Sequence, residues 1–345
     1  MTACPSLRTS LRLNNDVGVD EFVELARVAE SLGFDQIWIS NDLFFRSAPV
    51  MLAAAAAATS TIRLGTCVLN PYSVHPAEIA MAAATLQEVS RGRFLLGLAA
   101  GATDFLQWAG IERPAPLRRT REAIVAIREL CAGRSPADVA GSGAGWDGAA
   151  RLRMPAAPTP IYLGAMSPRM VELIGDVADG GLPLLYPPER LCETMARIRA
   201  GLARSGRNES DVDVAACIWV SVDDDPAAAR RPLAEKLVYF GASFGADVLA
   251  RVGVDAASLA ELRELDLALA VDRLPPEMLT LGVSGTPADV VSRCDALVAA
   301  GARHISFGPP LGPDRLHSVR LLGEQVVPAL RDRPFPAERD RPNVR

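Results

Sequence analysis

A (β/α)8 TIM barrel, an α/β fold built around a parallel sheet, is predicted by three features of the sequence. Apolar strands alternate with amphipathic helices along the chain, and eight such strands can be counted. These strands are apolar almost without interruption, which is typical of parallel strands covered on both faces. Two irregular segments, 103–158 and 223–281, interrupt the alternation and are predicted as insertions after strands four and seven. We expect one domain over residues 1–333 and a Pro- and charge-rich tail over 334–345.

The first half of the chain supplies four strands. One face of the helix predicted at Val19–Leu32 carries its apolar side chains, Phe22, Leu25, Ala26, Ala29 and Leu32. Gly33 suits the end of this helix, because glycine accepts a left-handed conformation. Helices are also predicted at Met51–Ala58, whose small residues allow close packing on a sheet, and after Pro76. The predicted strands are Leu7–Leu13, Asp35–Ser40, Ile62–Val68 and Arg93–Ala99.

The second half resumes the alternation after a Gly/Ala/Ser-rich run at 132–150, which we interpret as a mobile lid or an excursion. The predicted strands are Ile161–Gly164, Gly181–Leu185, Val214–Val222 and His304–Gly308. The predicted helices are Leu117–Leu130, Ser167–Asp179, Pro188–Ser205, Leu233–Phe240, Ser258–Leu269, Thr286–Ala300 and Asp314–Leu330.

Composition is that of a globular protein, which we expect in the cytoplasm. Hydrophobic residues make up 49% of the 345 residues and charged residues 22%. We find no secretory leader and no apolar run long enough to span a bilayer. A net charge of −5 without a basic cluster argues against a nucleic-acid partner. The six cysteines are scattered and lack histidines at ligand spacing, so reduced thiols and no metal site are expected.

Polar, proline-punctuated loops follow several of the predicted strands. After strand three, Asn70-Pro71 ends the strand and His75-Pro76 opens a helix. The carboxyl ends of barrel strands are where such folds bind ligands, although an ordinary strand-to-helix connection has the same pattern. Asn41 and Asp42 end strand two, where they are either site residues or turn and N-cap residues.

The strongest local signal is Gly164-Ala165-Met166-Ser167-Pro168, between strand five and its helix. Glycine permits a close backbone approach, serine is a favoured N-cap and proline suits the first helical turn. Free N–H groups at such a helix start can bind a phosphate, and a capped helix without a ligand is the alternative. Gly97 and Gly101 lack the spacing and the following acidic residue of a Rossmann dinucleotide site.

Side-chain catalysis has little support in the sequence. The three histidines are far apart, and no Ser/His/Asp order is present. Tyr72 and Trp108 fall in mouth loops or insertions, where they either stack on a ligand or fill the core. Hydride chemistry by a bound cofactor therefore fits better than hydrolysis.

Together these segments resemble the luciferase-like family and, within it, the coenzyme F420-dependent methylenetetrahydromethanopterin reductase-like group. The resemblance spans almost the whole chain in the family's order. The segments that carry it are 38–44 (WISNDLF), 64–72 (LGTCVLNPY), 92–97 (GRFLLG), 160–165 (PIYLGA), 178–180 (ADG) and 307–313 (FGPPLGP).

The resemblance implies roles for single residues. It implies a cis peptide bond at Cys67–Val68, behind the deazaflavin ring, with Asn70 at the polar edge of that ring. Ala100, Gly101 and Ala102 match a segment along the cofactor, and Ala102 replaces the glutamate base of relatives that oxidise sugar phosphates. Asn41 replaces a family carboxylate and Asp42 a frequent histidine. The residues matching the phosphate loop are Gly164, Ala165, Ser167 and Pro168.

The resemblance further implies a reductase that delivers hydride from reduced coenzyme F420 to an activated C=C or C=N bond of a small molecule. Asp42 or a bound water is the expected proton donor, and the expected substrate pocket contains Tyr72, His75 and Trp108. A homodimer is also implied, with the Met51–Ala58 helix suited to close packing. The alternatives are an FMN-dependent monooxygenase and a barrel that binds a ligand without turnover.

Overall fold

The computed structural model of the protein describes residues 7–241, 244–262 and 264–332. The predicted tail at 334–345 lies outside the described residues. The chain divides into two compact units. What we name the N-terminal unit comprises Ser10–Pro183 and Glu193–Ala215. The C-terminal unit comprises Met1–Thr9, Leu184–Cys192 and Ala216–Arg345.

The strands of the N-terminal unit form a parallel sheet in chain order. Parallel neighbours need a crossover between them, which is what the alternation of strands and helices predicted. The strands are β1 (Arg8–Leu13), β2 (Gln36–Ile39), β3 (Arg63–Thr66), β4 (Phe94–Leu98), β5 (Ile161–Ala165), β6 (Gly180–Pro183) and β7 (Asp213–Val214).

Helices connect these strands and bury their apolar faces. The first helix buries four of the five predicted residues, and Gly33 beyond it has a φ of 78°. The alanine-rich second helix buries Ala55 and Ala56. The helices are α1 (Val19–Ser31), α2 (Ala48–Ala58), α3 (Pro76–Ser90), α4 (Thr103–Trp108), α5 (Pro116–Cys131), α6 (Pro168–Val177) and α7 (Leu191–Ser205).

Two aromatic rings fill the core of this sheet. Trp38 and Tyr162 pack edge to face with ring centroids 5.0 Å apart. A Cβ at Gly65 would lie 2.1 Å from the Trp38 ring, so only glycine fits beside it. The Tyr162 hydroxyl donates to Asp213 at 2.7 Å, and burial together with this carboxylate raises its pKa.

The C-terminal unit contains strands β8 (Ala216–Val222), β9 (Val283–Gly285) and β10 (His304–Leu311). Strand β8 pairs in parallel with both of the others. Trp219 on β8 stacks on Tyr186, and Lys236 Nζ lies 5.0 Å from the centroid of the Trp219 ring. A π-helical segment, Leu322–Val326, precedes the last helix. The helices are α8 (Pro226–Phe240), α9 (Ala246–Val252), α10 (Ala256–Leu262), α11 (Leu267–Asp272), α12 (Pro287–Ala299), α13 (Arg315–Leu321) and α14 (Val327–Arg331).

Two element predictions are wrong, and one strand was not predicted. The predicted strand Val214–Val222 is broken at Ala215 into β7 and β8, which pair with different strands. An uninterrupted apolar run does not reveal such a change of partner. Strand β9 was missed because three residues show no periodicity. The predicted helix Ser258–Leu269 is two helices, since Asp266 accepts a hydrogen bond from Leu269 N and starts α11.

The run at 132–150 is a compact excursion with its own hydrogen bonds. Ser135 Oγ donates to Asp147 O at 3.0 Å, and Ser142 Oγ donates to Pro136 O at 2.6 Å. The Trp146 indole donates to Ser142 O at 3.1 Å. Side chains therefore satisfy the backbone of a segment whose described regular structure is a single 3-10 turn, Pro136–Asp138. None of the helices in the described ranges has the length and apolarity needed to cross a membrane.

The turn into β3 depends on the Glu30 carboxylate of α1. This group accepts hydrogen bonds from the N–H groups of Ser60, Thr61 and Ile62. Burial raises the Glu30 pKa, but the hydrogen bonds outweigh burial and lower it from 4.5 to about 2.

Because the folded-state pKa is depressed, ionised Glu30 stabilises the fold above pH 4.5, and this contribution is lost as pH falls toward 2. We expect Glu30→Gln to lower the melting temperature at about pH 6 and to match wild type near about pH 2. Thermal unfolding followed across this range measures the effect. A difference between the two proteins that is independent of pH would contradict the assignment.

Candidate functional site

Strand β3 ends in a bulge against β4. The Cys67–Val68 peptide bond is cis, which confirms the expectation from the resemblance. Just before it, the Thr66 hydroxyl donates to Gly97 O and accepts from Gly97 N, both at 3.0 Å. Beyond it, Leu69 N donates to Gly97 O and Ala99 N donates to Leu69 O, both at 2.9 Å. The chain thus bonds to β4 at Thr66 and again at Leu69, and residues 67–68 bulge out between these two points.

Val68 of the bulge lies against the carboxyl ends of β4 and β5. A Cβ at Gly164 would lie 3.0 Å from Val68 Cγ1 and 3.3 Å from Ala99 Cβ. The ends of three neighbouring strands therefore meet with no side chain between Val68 and the β5 backbone. Val68 and Ala99 fill the space beside Gly164, so a glycine at this position lets the bulge pack directly on the β5 backbone.

Asn70 is buried, and its side chain orders the loop after the bulge. Its Oδ1 accepts from Tyr72 N at 3.1 Å and from Ser73 N at 2.9 Å, while Nδ2 donates to Ser73 Oγ at 2.9 Å. Gly101, at the end of β4, has a φ of 74°, and a Cβ there would lie 3.0 Å from Asn70 Cγ. The structure therefore brings the loops after β3 and β4 together. A contact of Asn70 with a cofactor stays a prediction.

The loop after β2 is organised by Asn15, which the sequence analysis did not single out. Asn15 is buried at the end of β1. Its Nδ2 donates to Asp42 O at 3.0 Å and to Arg46 O at 2.7 Å, while its Oδ1 accepts from Ser40 Oγ at 2.7 Å. One amide side chain thus bonds to Ser40, before the predicted site residues, and to the backbone of Asp42 and Arg46.

Asn41 and Asp42 occupy the carboxyl end of β2 as predicted. Asn41 Oδ1 accepts from Ala48 N at 3.0 Å and so supports the start of α2. Asp42 is half-buried. Its backbone is held on both sides, since its N–H also approaches Asn15 Oδ1 at 3.4 Å. The Asp42 carboxylate therefore stands on a fixed backbone.

We expect Asn15→Asp to destabilise the protein by about 2–4 kcal/mol, because a carboxylate cannot donate to the two carbonyls that Asn15 serves. Denaturant unfolding measures this loss. Asn14→Asp is the matched control, since it makes the same change one residue away at a half-buried position. Equal stabilities of the two variants would contradict the role given to Asn15.

Tyr72 and His75 connect the loop after β3 to Pro114 and Trp146, which lie between β4 and β5. The Tyr72 hydroxyl donates to Pro114 O at 2.6 Å. Burial raises its pKa, and the charge of Arg113 opposes this. His75 Nδ1 accepts from the N–H at the start of α3, and its ring lies 5.2 Å from that of Trp146. Both predicted pocket residues therefore hold the loop in place.

Trp108 belongs to an exposed aromatic group at the carboxyl ends of the strands. Its side chain is 66% exposed, and its ring lies 5.1 Å from Phe105 and 6.4 Å from Phe44. Phe44 and Phe45 come from the loop after β2, whereas Phe105 and Trp108 lie on α4. Of the three predicted pocket residues, Trp108 and His75 are exposed, whereas Tyr72 is half-buried.

The start of α6 retains the properties of an anion site. Ser167 is the exposed N-cap residue but makes no capping hydrogen bond, and the first turn contains no acidic residue. Pro168 has no N–H to satisfy. By contrast, Thr286 and Asp289 form a capping box at α12. The N–H groups and dipole of α6 are therefore not neutralised by side chains of the helix itself.

The structure thus gathers most predicted site residues at the ends of β2 to β5, within one unit. Asn15, Thr66 and Arg113 were missed. Asn15 follows strand one in the same way as Asn41 follows strand two, so the pattern used there also marks it. Arg113, whose Nη1 donates to Gly101 O at 3.0 Å, lies between α4 and α5 in a stretch without periodicity and gave no signal.

Known proteins resemble the chain along nearly its whole length. A 5,10-methylenetetrahydromethanopterin reductase of Archaeoglobus fulgidus is 33% identical, over 92% of this chain and 97% of that protein. An F420-dependent glucose-6-phosphate dehydrogenase of Microbacterium testaceum is 30% identical, over 92% of this chain and 95% of that protein.

Among solved structures, the coenzyme F420-dependent tetrahydromethanopterin reductase of Methanopyrus kandleri superposes with a TM-score of 0.88 at 26% identity. The match covers 94% of this chain and 99% of that one. The sequence also matches the luciferase-like monooxygenase family over residues 4–304. With this match, and with the cis bond and the bulge after β3 described above, the chain belongs to the luciferase-like monooxygenase family.

Proposed function

We propose that the protein is a coenzyme F420-dependent oxidoreductase, and that it acts as a reductase on an activated C=C or C=N bond of a small or natural-product substrate. The observation that carries the proposal is the meeting of the β3, β4 and β5 ends around Val68, beside the open N-terminus of α6. The F420-dependent relatives support the choice of cofactor.

The chain's residues fit this cofactor in shape and in charge. Cys67 and Val68 provide a wall for a flat ring, and Gly164 lets Val68 pack against the β5 backbone behind that wall. Ala100, Gly101 and Ala102 present small side chains or none. Ala165, Ser167 and Pro168 complete the turn whose free N–H groups suit a phosphate. When bound, the reduced cofactor supplies the hydride.

The remaining chemistry falls to side chains at the same edge of the sheet. Asp42, or a water that it orients, supplies the proton to the substrate. Trp108 and its neighbours receive the substrate, with Tyr72 and His75 shaping the loop beneath. Ala102 offers no carboxylate, so oxidation of a sugar phosphate is disfavoured. A closed eight-stranded barrel with its two insertions, a homodimer and a cytoplasmic location belong to the same proposal.

Binding of oxidised cofactors to the purified protein tests the proposal. We expect fluorescence titration to show binding of coenzyme F420, and stopped-flow oxidation of reduced F420 in the presence of unsaturated or imine substrates. Asp42→Asn should slow turnover while leaving F420 affinity within about twofold. Tight binding of FMN without affinity for F420 would reject the proposal in favour of a flavin-dependent monooxygenase.

A further inference from the structure

Four aromatic side chains form a continuous row on two loops of the N-terminal unit. We name Phe44, Phe45, Phe105 and Trp108 the aromatic row. Phe44 and Phe45 lie in the loop after β2, whereas Phe105 and Trp108 lie on α4, which follows β4. The ring of Phe44 lies 6.4 Å from that of Trp108, and the ring of Phe45 lies 6.2 Å from that of Phe105. Two ring contacts therefore join the loops that follow the two neighbours of β3.

The row exposes much of its apolar surface. Phe44 is 67% exposed, Phe45 52% and Trp108 66%, while Phe105 is half-buried. Since an aromatic side chain has an area of about 150–250 Å², the exposed part is on the order of 350 Å². Exposed apolar patches of a few hundred Å² are often binding sites.

The backbone holds Phe44 and Phe45 at the tip of a fixed turn. Phe44 has a φ of 71°, a left-handed conformation that is disfavoured for a residue with a side chain. Asn15 bonds to Asp42 O before this residue and to Arg46 O after it, so the turn is held on both sides. The chain thus places an exposed phenylalanine where glycine would be favoured.

Helix α4 exposes its two rings by burying a different side chain. Leu106 is the buried residue of this helix, and it packs beside Gly101, whose added Cβ would lie 3.2 Å from Leu106 Cδ1. The Phe105 and Trp108 rings lie 5.1 Å apart at an interplanar angle of 89°, and the Phe45 and Phe105 rings meet at 86°. Successive rings in this part of the row therefore present a face and an edge in turn.

Alternating faces and edges favour a flat aromatic ligand. Such a ring can stack on one side chain and meet the edge of the next, which are the arrangements that aromatic pairs prefer. A saturated ring of the same size has neither a π-face nor a flat shape. Because neighbouring centroids lie 5.1 to 6.4 Å apart, a body of fused rings can contact two members of the row along its length.

Charged groups beside the row disfavour a negatively charged ligand. Asp42 begins the turn that carries two of the rings, and Asp104 lies four residues before Trp108, a spacing that puts both on one face of α4. The guanidinium groups of Arg46 and Arg113 each donate to a backbone carbonyl, at 2.7 and 3.0 Å. We therefore expect an anionic substituent to weaken binding.

We propose that the aromatic row binds the non-reacting part of the substrate, and that this part is an uncharged, planar body of two or more fused aromatic rings. This inference rests on the proposed function and gives its substrate a class. The row begins two residues beyond Asp42, the proposed proton donor, whereas the phosphate turn follows β5. The row thus adjoins the proposed site of proton transfer and leaves the phosphate turn to the cofactor.

The test measures how two unreactive ketones, naphthylethyl methyl ketone and its saturated counterpart decalinylethyl methyl ketone, bind to the protein loaded with oxidised F420. We expect wild type to bind the naphthyl ketone about 10-fold more tightly, although the decalinyl ketone is the more apolar of the two. A naphthyl ketone with a carboxylate on its ring should bind about 10-fold more weakly than its parent. Isothermal titration calorimetry measures these affinities without turnover.

Leucine variants separate aromatic contact from general apolar contact, because leucine keeps an apolar surface without a π-face. Trp108→Leu and Phe44→Leu should each reduce the preference for the naphthyl ketone to about twofold or less. Tyr239→Leu removes a ring of similar exposure, 68%, in the C-terminal unit, and it should retain the preference.

Equal affinity of wild type for the naphthyl and decalinyl ketones, or tight binding of the carboxylate derivative, would overturn the inference and leave the proposed function intact. A Trp108→Leu variant with a lower oligomeric mass in sedimentation and an unchanged preference would also overturn it, because the row would then be a contact between copies of the chain. If the protein did not bind F420, the proposed function would be rejected, and with it the assignment of the aromatic body to a substrate.

Discussion

Replacing Ser167 by Asp is expected to weaken the binding of coenzyme F420 by about 100-fold or more. Two like charges about 4 Å apart repel by roughly 4 kcal/mol at the effective dielectric of a protein surface. The helix itself should not suffer, because aspartate is a favoured N-cap and complements the dipole of α6. A melting temperature at or above that of wild type, with cofactor affinity lost, is the expected combination.

The phosphate-free deazaflavin chromophore separates this effect from general damage. Its affinity should change less than about threefold in Ser167→Asp, since repulsion requires the phosphate. Ser167→Ala should retain most of the affinity for F420, because the N–H groups of α6 remain. Asn208→Asp adds the same charge at an exposed position ahead of β7 and should bind F420 like wild type. If Ser167→Asp reduced the affinity for both ligands equally, the proposal that the phosphate binds at this turn would be rejected.

Replacing Gly97 by Ala is expected to destabilise the protein by roughly 3 kcal/mol or more and to reduce F420 affinity at least 10-fold. The added Cβ would lie 1.8 Å from the Thr66 carbonyl oxygen, so the bulge or β4 must move. Because Leu69 N also bonds to Gly97 O, the displacement reaches the segment that contains Val68. Denaturant unfolding and fluorescence titration of the cofactor measure the two effects.

Two further variants make the Gly97 prediction specific. Gly148→Ala changes the same residue type where no atom lies within 4 Å of the new Cβ, and it should behave like wild type. Thr66→Val removes both hydroxyl bonds to Gly97 without adding bulk, and should cost about 2–4 kcal/mol. If Gly97→Ala were as stable as Gly148→Ala, the close approach of β3 and β4 would be wrong.

The sequence alone located the ends of strands that carry the site. Asn41-Asp42 after β2, Asn70-Pro71 after β3 and the turn at 164–168 all interrupt apolar runs with polar, glycine or proline residues. These interruptions favour strand ends because proline cannot donate to a strand ladder and a buried polar side chain needs a hydrogen-bond partner. The cis bond at Cys67–Val68 was expected from family resemblance, and no periodicity or spacing could have indicated it.

The sequence did not indicate which residues the polar side chains of the site would bond to. Asn15 acts on the loop after β2 only because β1 and β2 are neighbours in the sheet, 27 residues from Asp42 along the chain. The Asn70 side chain bonds within its own loop, and the Tyr72 hydroxyl donates a hydrogen bond to Pro114 O. The break between β7 and β8 is likewise decided by strand pairing. An uninterrupted apolar run in the sequence does not show which strand each part pairs with.

The alternation of strands and helices, and with it the parallel sheet, was therefore determined by local pattern, since burial and backbone conformation restrict residue type at each position. The apposition of Val68 with Gly164 and the support of Asp42 by Asn15 were decided only by the tertiary structure. Each depends on a contact between segments distant along the chain, and hydrophobic periodicity carries no information about such contacts.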